Sequence, residues 1–149
     1  MLYVGQIYPP KNFGNLLRAY ASVGPRLGIN LVIAGTHTWL CERELKLIDE
    51  LGLKPWIIQP GWIDHESLPA FYALALALLL PSLYEACPSP LLEAMAVGCP
   101  IVTSNRNGCR EIAGDAALLV EPEDVGSIAH GIERMATEED TRERFVLAG

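Results

Sequence analysis

Two glutamates with seven residues between them, Glu85 and Glu93, bracket the stretch of this chain richest in usable chemistry, residues 81–95. Within it, Ser89-Pro90 reads as an N-cap followed by the first helical residue, because the proline ring presets φ for that position. The backbone N–H groups of Leu91 and Leu92 then point out of the helix start, and together with the helix dipole they form an anion site. Pro88 and Pro90 carry no N–H, so the donors are fewer than in a glycine-rich loop. Lys11, at the end of an earlier loop, offers a full positive charge to the same anion. A carboxylate beside a phosphate repels it, yet it accepts strong charge-assisted hydrogen bonds from sugar hydroxyls. A phosphate at the helix start with a sugar ring on either side would therefore use both acids. The same residues also fit a plainer arrangement, in which Glu93 favours the helix N-terminus and Glu85 is solvated.

The elements that must position these groups alternate along the chain. Short β-type runs fall at residues 2–4, 30–34, 56–59, 76–80, 101–103 and 117–120. Between them lie stretches of helical spacing. Phe13, Leu16, Leu17 and Tyr20 recur at i, i+3, i+4 and i+7, the mark of an amphipathic helix, and Asn12 stands at its N-cap position. A second helix is expected over 40–51, with Gly52 at the glycine position past its end. A third is expected over 66–73 with Asp64 as N-cap, and a short fourth over 90–97 closed by Gly98. Two more fall at 125–135 and 141–147, the latter opening on the acidic turn Glu138, Glu139 and Asp140. Continuously apolar strands, each followed by a helix, predict an α/β fold: a doubly wound, Rossmann-like parallel sheet of about six strands with helices on both faces. Ligands in such sheets bind beyond the carboxyl ends of strands where the strand order reverses. For the order 3-2-1-4-5-6, the loops 5–11 and 82–89 face each other across one crevice.

Composition narrows the classes. The chain has 149 residues, 50 % apolar and 19 % charged, which fits one folded domain and not a disordered tail. The formal net charge of −7 argues against nucleic-acid binding or an anionic membrane surface. It leaves room for a phosphate-bearing small molecule. Cys41, Cys87, Cys99 and Cys109 form no C-x-x-C pair, so reduced thiols in a cytoplasmic protein are expected, each a small buried hydrophobe. The opening residues lack the basic and apolar regions of a signal peptide. The longest apolar run, 73–80, ends at Pro81, far short of the roughly 20 residues of a membrane helix.

At these residues the sequence resembles the group 1 (family 4) retaining glycosyltransferases, which have the two-domain glycosyltransferase-B fold. The matching pieces run in order: Val4-Gly5-Gln6 with Lys11-Asn12, Gly61, Leu68-Pro69-Ala70-Phe71-Tyr72, Pro81-Ser82, and the acids Glu85 and Glu93 with Leu91-Leu92-Glu93-Ala94-Met95. Gly98-Cys99-Pro100-Ile101-Val102 and Glu111-Ile112-Ala113-Gly114-Asp115-Ala116-Ala117 complete them. The resemblance implies that Glu93 holds the ribose hydroxyls of a nucleotide, that Glu85 contacts the donor sugar, and that Lys11 neutralises the leaving diphosphate. It implies that the backbone of Ala86, Cys87, Pro88, Ser89, Leu91 and Leu92 wraps sugar and phosphate. The substrate implied is a nucleotide diphosphate sugar such as a UDP- or GDP-hexose, with no cofactor and no metal. Two departures stand out. Gln6 replaces the family's usual arginine, which removes one cationic phosphate contact. Ala86-Cys87-Pro88 replaces the usual Gly-Phe-Gly, which removes a donor and stiffens the loop.

The family's N-terminal acceptor domain, with its catalytic-site histidine, is not expected within these 149 residues, because the donor half's first strand is expected to open at Leu2. The expectation is therefore one domain over 1–149, a donor-binding half that transfers little by itself and self-associates through the flank its other half would cover. The alternative is a stand-alone, non-catalytic nucleotide-sugar binding module, which Gln6 favours; a sugar-nucleotide epimerase of related fold is a weaker option. His37, His65 and His130 lack partners at metal-ligand spacing, so solvated or structural roles are expected for them. Trp39, Trp56 and Trp62 flank strand ends and are expected to pack, although Trp62 lies where a nucleotide base would sit. Cys87 has no visible base partner and is not expected to act as a nucleophile.

Overall fold

The computed structural model describes residues 1–36 and 41–149. His37, Trp39 and the predicted start of the second helix at Leu40 lie outside the described residues. Six strands, β1 (Leu2–Val4), β2 (Leu31–Ala34), β3 (Ile57–Gly61), β4 (Leu78–Leu80), β5 (Ile101–Ser104) and β6 (Leu118–Val120), form one sheet. Its order is β3-β2-β1-β4-β5-β6 and every pairing is parallel. Among the described residues, seven α-helices connect and follow the strands: α1 (Phe13–Leu27), α2 (Glu42–Glu50), α3 (Leu68–Leu74), α4 (Ser89–Ala96), α5 (Asn107–Ala113), α6 (Val125–Thr137) and α7 (Glu139–Ala148).

Successive side chains of a strand point to opposite faces, so a strand buried at every residue is covered on both sides. Leu78, Leu79 and Leu80 are all buried, as are the four residues of β5. This is why those runs read as continuous apolar stretches and not as alternating ones. Leu2 pairs with Val32 on one side and with Leu78 on the other, which sets β1 at the point where the chain order reverses. The β2–β3 register shifts between Val32 and Ala34, and Ala34 pairs with Gly61.

The amphipathic spacing of the first helix is realised, with Phe13, Leu16, Leu17 and Tyr20 all buried. Asn12 holds the N-cap position, as expected. It has the left-handed conformation (φ 58°), and its side chain makes no capping bond. It serves a tertiary purpose described below. Asp64 departs from its expected place: α3 begins at Leu68, and Asp64 Oδ1 accepts the Ser67 amide at 2.8 Å, closing the turn that precedes the helix. That bond, with a backbone donor foremost, holds its carboxyl below the usual carboxylate range. α5 carries no periodic signal in the sequence, because Asn107-Gly108 favours a turn over a helix start. At the far end, Glu138 stands at the N-cap position of α7 without a side-chain capping bond and takes a bidentate bond from Arg134 (2.9–3.1 Å), which with the Thr141 hydroxyl lowers its pKa to about 2. Among the described residues, no helix is long and apolar enough to cross a membrane.

Candidate functional site

The loops after β1 and β4 meet at the reversal of strand order and are fastened to each other. The Leu83 amide donates to the Pro10 carbonyl (2.8 Å). The buried Asn12 side chain donates to the carbonyls of Pro81 (2.9 Å) and Pro122 (2.6 Å), so one amide ties the ends of β4 and β6 to the start of α1. Left-handed backbone suits asparagine better than most residues, which explains its presence at φ 58°.

Two nearly buried charges lie at this junction. Lys11 Nζ is 2.5 Å from Glu85 Oε1, with the two residues 8 % and 9 % exposed. Ser82 Oγ donates to the same carboxylate oxygen at 2.8 Å. The Glu85 main chain is held as well, since its carbonyl accepts the Gly108 amide (3.0 Å) at the start of α5. Asn107 Nδ2 adds a bond to the Leu83 carbonyl (3.2 Å). A Cβ on Gly108 would stand 2.4 Å from the Ala86 carbonyl oxygen, so the close approach of α5 to this loop requires glycine. The Tyr3 hydroxyl donates to the Gln6 carbonyl (2.9 Å). Burial, reinforced by the charge of Glu85, pushes Tyr3 ionisation far up and keeps it a donor.

Beside this pair opens a crevice of ≈ 270 Å³ lined by Gly5, Gln6, Trp62, His65, Ser89 and Glu93, among others. Gln6, Ser89 and His65 are exposed in it, and Trp62 is 69 % exposed. The expectation that Trp62 packs is thus corrected: its indole stands at the crevice, while Trp56 packs against the core. Glu93 is anchored by Tyr72, whose hydroxyl donates to Oε2 at 2.7 Å. A larger cavity of ≈ 740 Å³ lies between α1 and α2, but its exposed Arg18, Arg43, Lys46, Glu42 and Glu50 mix signs and include none of Lys11, Glu85 and Glu93.

Several expected details change. α4 starts one residue early, with Pro88 at the N-cap and Ser89 and Pro90 as its first two residues. The Ser89 amide donates to Cys87 O (3.0 Å) and the Leu91 amide to Pro88 O (3.0 Å). The Leu91 N–H expected to face an anion is therefore spent inside the turn, because two prolines in three residues tighten the helix entry. The Leu91 side chain is buried, and Leu92 is half exposed. Lys11 was expected to face an anion and Glu85 hydroxyls; here they satisfy each other. Cys41, Cys99 and Cys109 are buried thiols as expected, but Cys87 is exposed, as is Ala86. His65 and His130 are exposed. Among the described residues, no group of three or more His, Cys, Asp or Glu is placed to hold a metal. Sequence reasoning missed Ser82, which bonds Glu85 three residues on in the same loop, and Tyr72, Asn107 and Gly108, whose bonding partners lie on other elements. Only the adjacency of Ser82 to the site loop and the placement of Tyr72 in a recognisable segment hinted at two of them.

The whole chain, residues 1–149, matches the family described as glycosyl transferases group 1. The chain belongs to that family. Its relatives include the O-antigen chain mannosyltransferase B of Escherichia coli, 35 % identical over 99 % of this chain and 39 % of its own length. Another is the alpha-D-kanosaminyltransferase of Streptomyces kanamyceticus, 31 % identical over 97 % of this chain and 38 % of its own. The chain thus spans about two fifths of the length of such relatives. Among solved structures, Anabaena HepE in complex with UDP and glucose superposes with a TM-score of 0.86 at 20 % identity, over 97 % of this chain and 40 % of that one. The C-terminal domain of a group 1 glycosyltransferase from Francisella tularensis superposes with a TM-score of 0.85 at 23 % identity, over 97 % of this chain and 78 % of that one. At these identities the superpositions establish the fold: a Rossmann-like half of the glycosyltransferase-B type.

Proposed function

We propose that this chain is the donor-binding part of a retaining, metal-independent glycosyltransferase that moves a hexose from a nucleotide diphosphate sugar to a hydroxyl acceptor, with the acceptor bound by a further domain. The observation that carries this reading is the nearly buried Lys11–Glu85 pair where strand order reverses, with Lys11 packed by Gly5 at the edge of a crevice that Glu93 lines. The groups that its relatives and structural neighbours are named for, a mannosyl or kanosaminyl group and UDP with glucose, agree with it.

In this reading the diphosphate lies at the start of α4, where the helix dipole favours negative charge. Lys11 turns from Glu85 to the leaving phosphate, whose charge grows in the transition state, and stabilises it electrostatically. Glu85, released from Lys11 but still bonded by Ser82, accepts from hydroxyls of the hexose. Glu93 accepts from the ribose. Both acids thus fix the donor's orientation. The engaged Leu91 amide drops out as a ligand donor, so more of the phosphate binding falls to Lys11, and Gln6 contributes a neutral donor where a cation is usual.

Calorimetric titration of the chain with UDP- and GDP-hexoses tests this. One of them binds, and Glu93→Gln weakens the free nucleoside diphosphate more than Glu85→Gln does. No binding of any at millimolar ligand contradicts the reading, and equal losses contradict the division of roles.

A further inference from the structure

Glu93 stands between two spaces. On one side is the crevice; on the other is a cavity of ≈ 220 Å³ walled by Leu68, Pro69, Ala96 and Val97, with His65 at the margin of both. A glutamate has three rotatable bonds, so an acid with room on both sides would spend part of its time turned away from the crevice. The structure supplies one restraint against this. Tyr72, on the last turns of α3, is 1 % exposed, and its hydroxyl donates to Glu93 Oε2 at 2.7 Å, joining residues 21 apart in sequence. Burial, then the bond to Glu93 and its charge, push the ionisation of this phenol far up. The proton therefore stays on Tyr72 and the bond keeps one direction, from phenol to carboxylate. Oε2 is partly consumed by it, and Oε1 is left to accept from a ligand.

We propose that Tyr72 is a positioning residue: its bond to Oε2 holds the Glu93 carboxylate at the crevice in the orientation that reads the vicinal hydroxyls of a nucleotide ribose, and so sets a preference for ribo- over dideoxyribonucleotides. The inference rests on the ribose role given to Glu93 above. A phenol that only filled the space between α3 and α4 would affect all ligands alike. A phenol that orients the acid affects only ligands with hydroxyls for that acid to hold.

The test compares binding of UDP and GDP with that of their 2′,3′-dideoxy forms, by calorimetry, to the wild-type chain, Tyr72→Phe and Glu93→Gln. Wild type is expected to prefer the ribonucleotide. Tyr72→Phe is expected to lose about ten-fold in ribonucleotide affinity, the scale of one charge-assisted hydrogen bond, with dideoxy affinity unchanged within about two-fold. In the Glu93→Gln background, Tyr72→Phe then adds nothing further. If the preference survives in Tyr72→Phe but is lost in Glu93→Gln, the positioning role is overturned and the ribose role stands. If Glu93→Gln keeps the preference as well, the ribose role itself fails. Where phenylalanine at this buried position costs the fold, 4-fluorophenylalanine, which fills the hydroxyl's space without a proton, replaces it, and the same outcomes decide.

Discussion

Lys11 and Glu85 are 74 residues apart in sequence and touch at 2.5 Å in a nearly buried ion pair. Removing one partner of such a pair leaves the other charge buried and uncompensated. Lys11→Met and Glu85→Gln are each expected to destabilise the chain by about 3–5 kcal/mol, and the double variant by clearly less than their sum. Urea unfolding of the four species measures this. Strict additivity would mean that the two charges do not hold each other in solution.

Gly108 tests the other support of the site loop. Its built Cβ lies 2.4 Å from Ala86 O and 2.7 Å from Glu85 O, both backbone atoms, so Gly108→Ala must move the Glu85–Ala86 peptide. We expect a loss of about 1–3 kcal/mol in stability together with weaker nucleotide-sugar binding. Gly52→Ala is the control: nothing lies within 4 Å of its Cβ, and only its φ of +65° is unfavourable. It should cost about 1–2 kcal/mol and leave binding unchanged. Calorimetry and denaturation of both variants separate the outcomes. Equal effects on binding would show that Gly108 does not support the site.

The parallel sheet was legible because fully buried strands leave continuous apolar runs, such as 78–80, and amphipathic spacing survives in α1 whatever it packs against; the strand order was assumed from the fold class, and the structure has that order. The site was legible as a set of acids and a base, since types and spacing are sequence properties. Their bonding was not. Asn12 reads as a cap, but it bonds Pro81 and Pro122, which the fold alone brings near. Leu91 reads as an open donor, but Pro88 and Pro90 tighten the turn so that its amide bonds Pro88. Tyr72 stands out in the sequence only as the end of the segment Leu68-Pro69-Ala70-Phe71-Tyr72, and its hydroxyl partner lies on α4. Trp62 reads as packing because large apolar residues usually do, yet it stands 69 % exposed.

The thiols divide sharply. Only Cys87 is exposed among the four, and it lies in the site loop. At pH 8, one thiol is expected to react quickly with a disulfide reagent while three wait for unfolding. A saturating nucleoside diphosphate should slow the fast one. Fast reaction unaffected by every nucleotide tried would place the ligand away from this loop.

Burial pushes the Cys99 thiol from its ordinary value of 9.0 up to about 11. The folded chain therefore keeps a proton that the unfolded chain releases in this interval. Stability from the neutral thiol is complete below pH 9 and is lost as the pH rises toward 11. The melting temperature should fall across that window, and Cys99→Ala should flatten the fall. An identical slope in the variant would remove Cys99 as its cause.

The most direct measurement is a crystal structure of the chain with the nucleoside diphosphate that binds it best. The account predicts the diphosphate at the start of α4 with Lys11 turned onto it from Glu85, and the ribose hydroxyls on Glu93. A nucleotide lodged instead in the cavity between α1 and α2, or bound with the Lys11–Glu85 pair intact and Glu93 untouched, would contradict it.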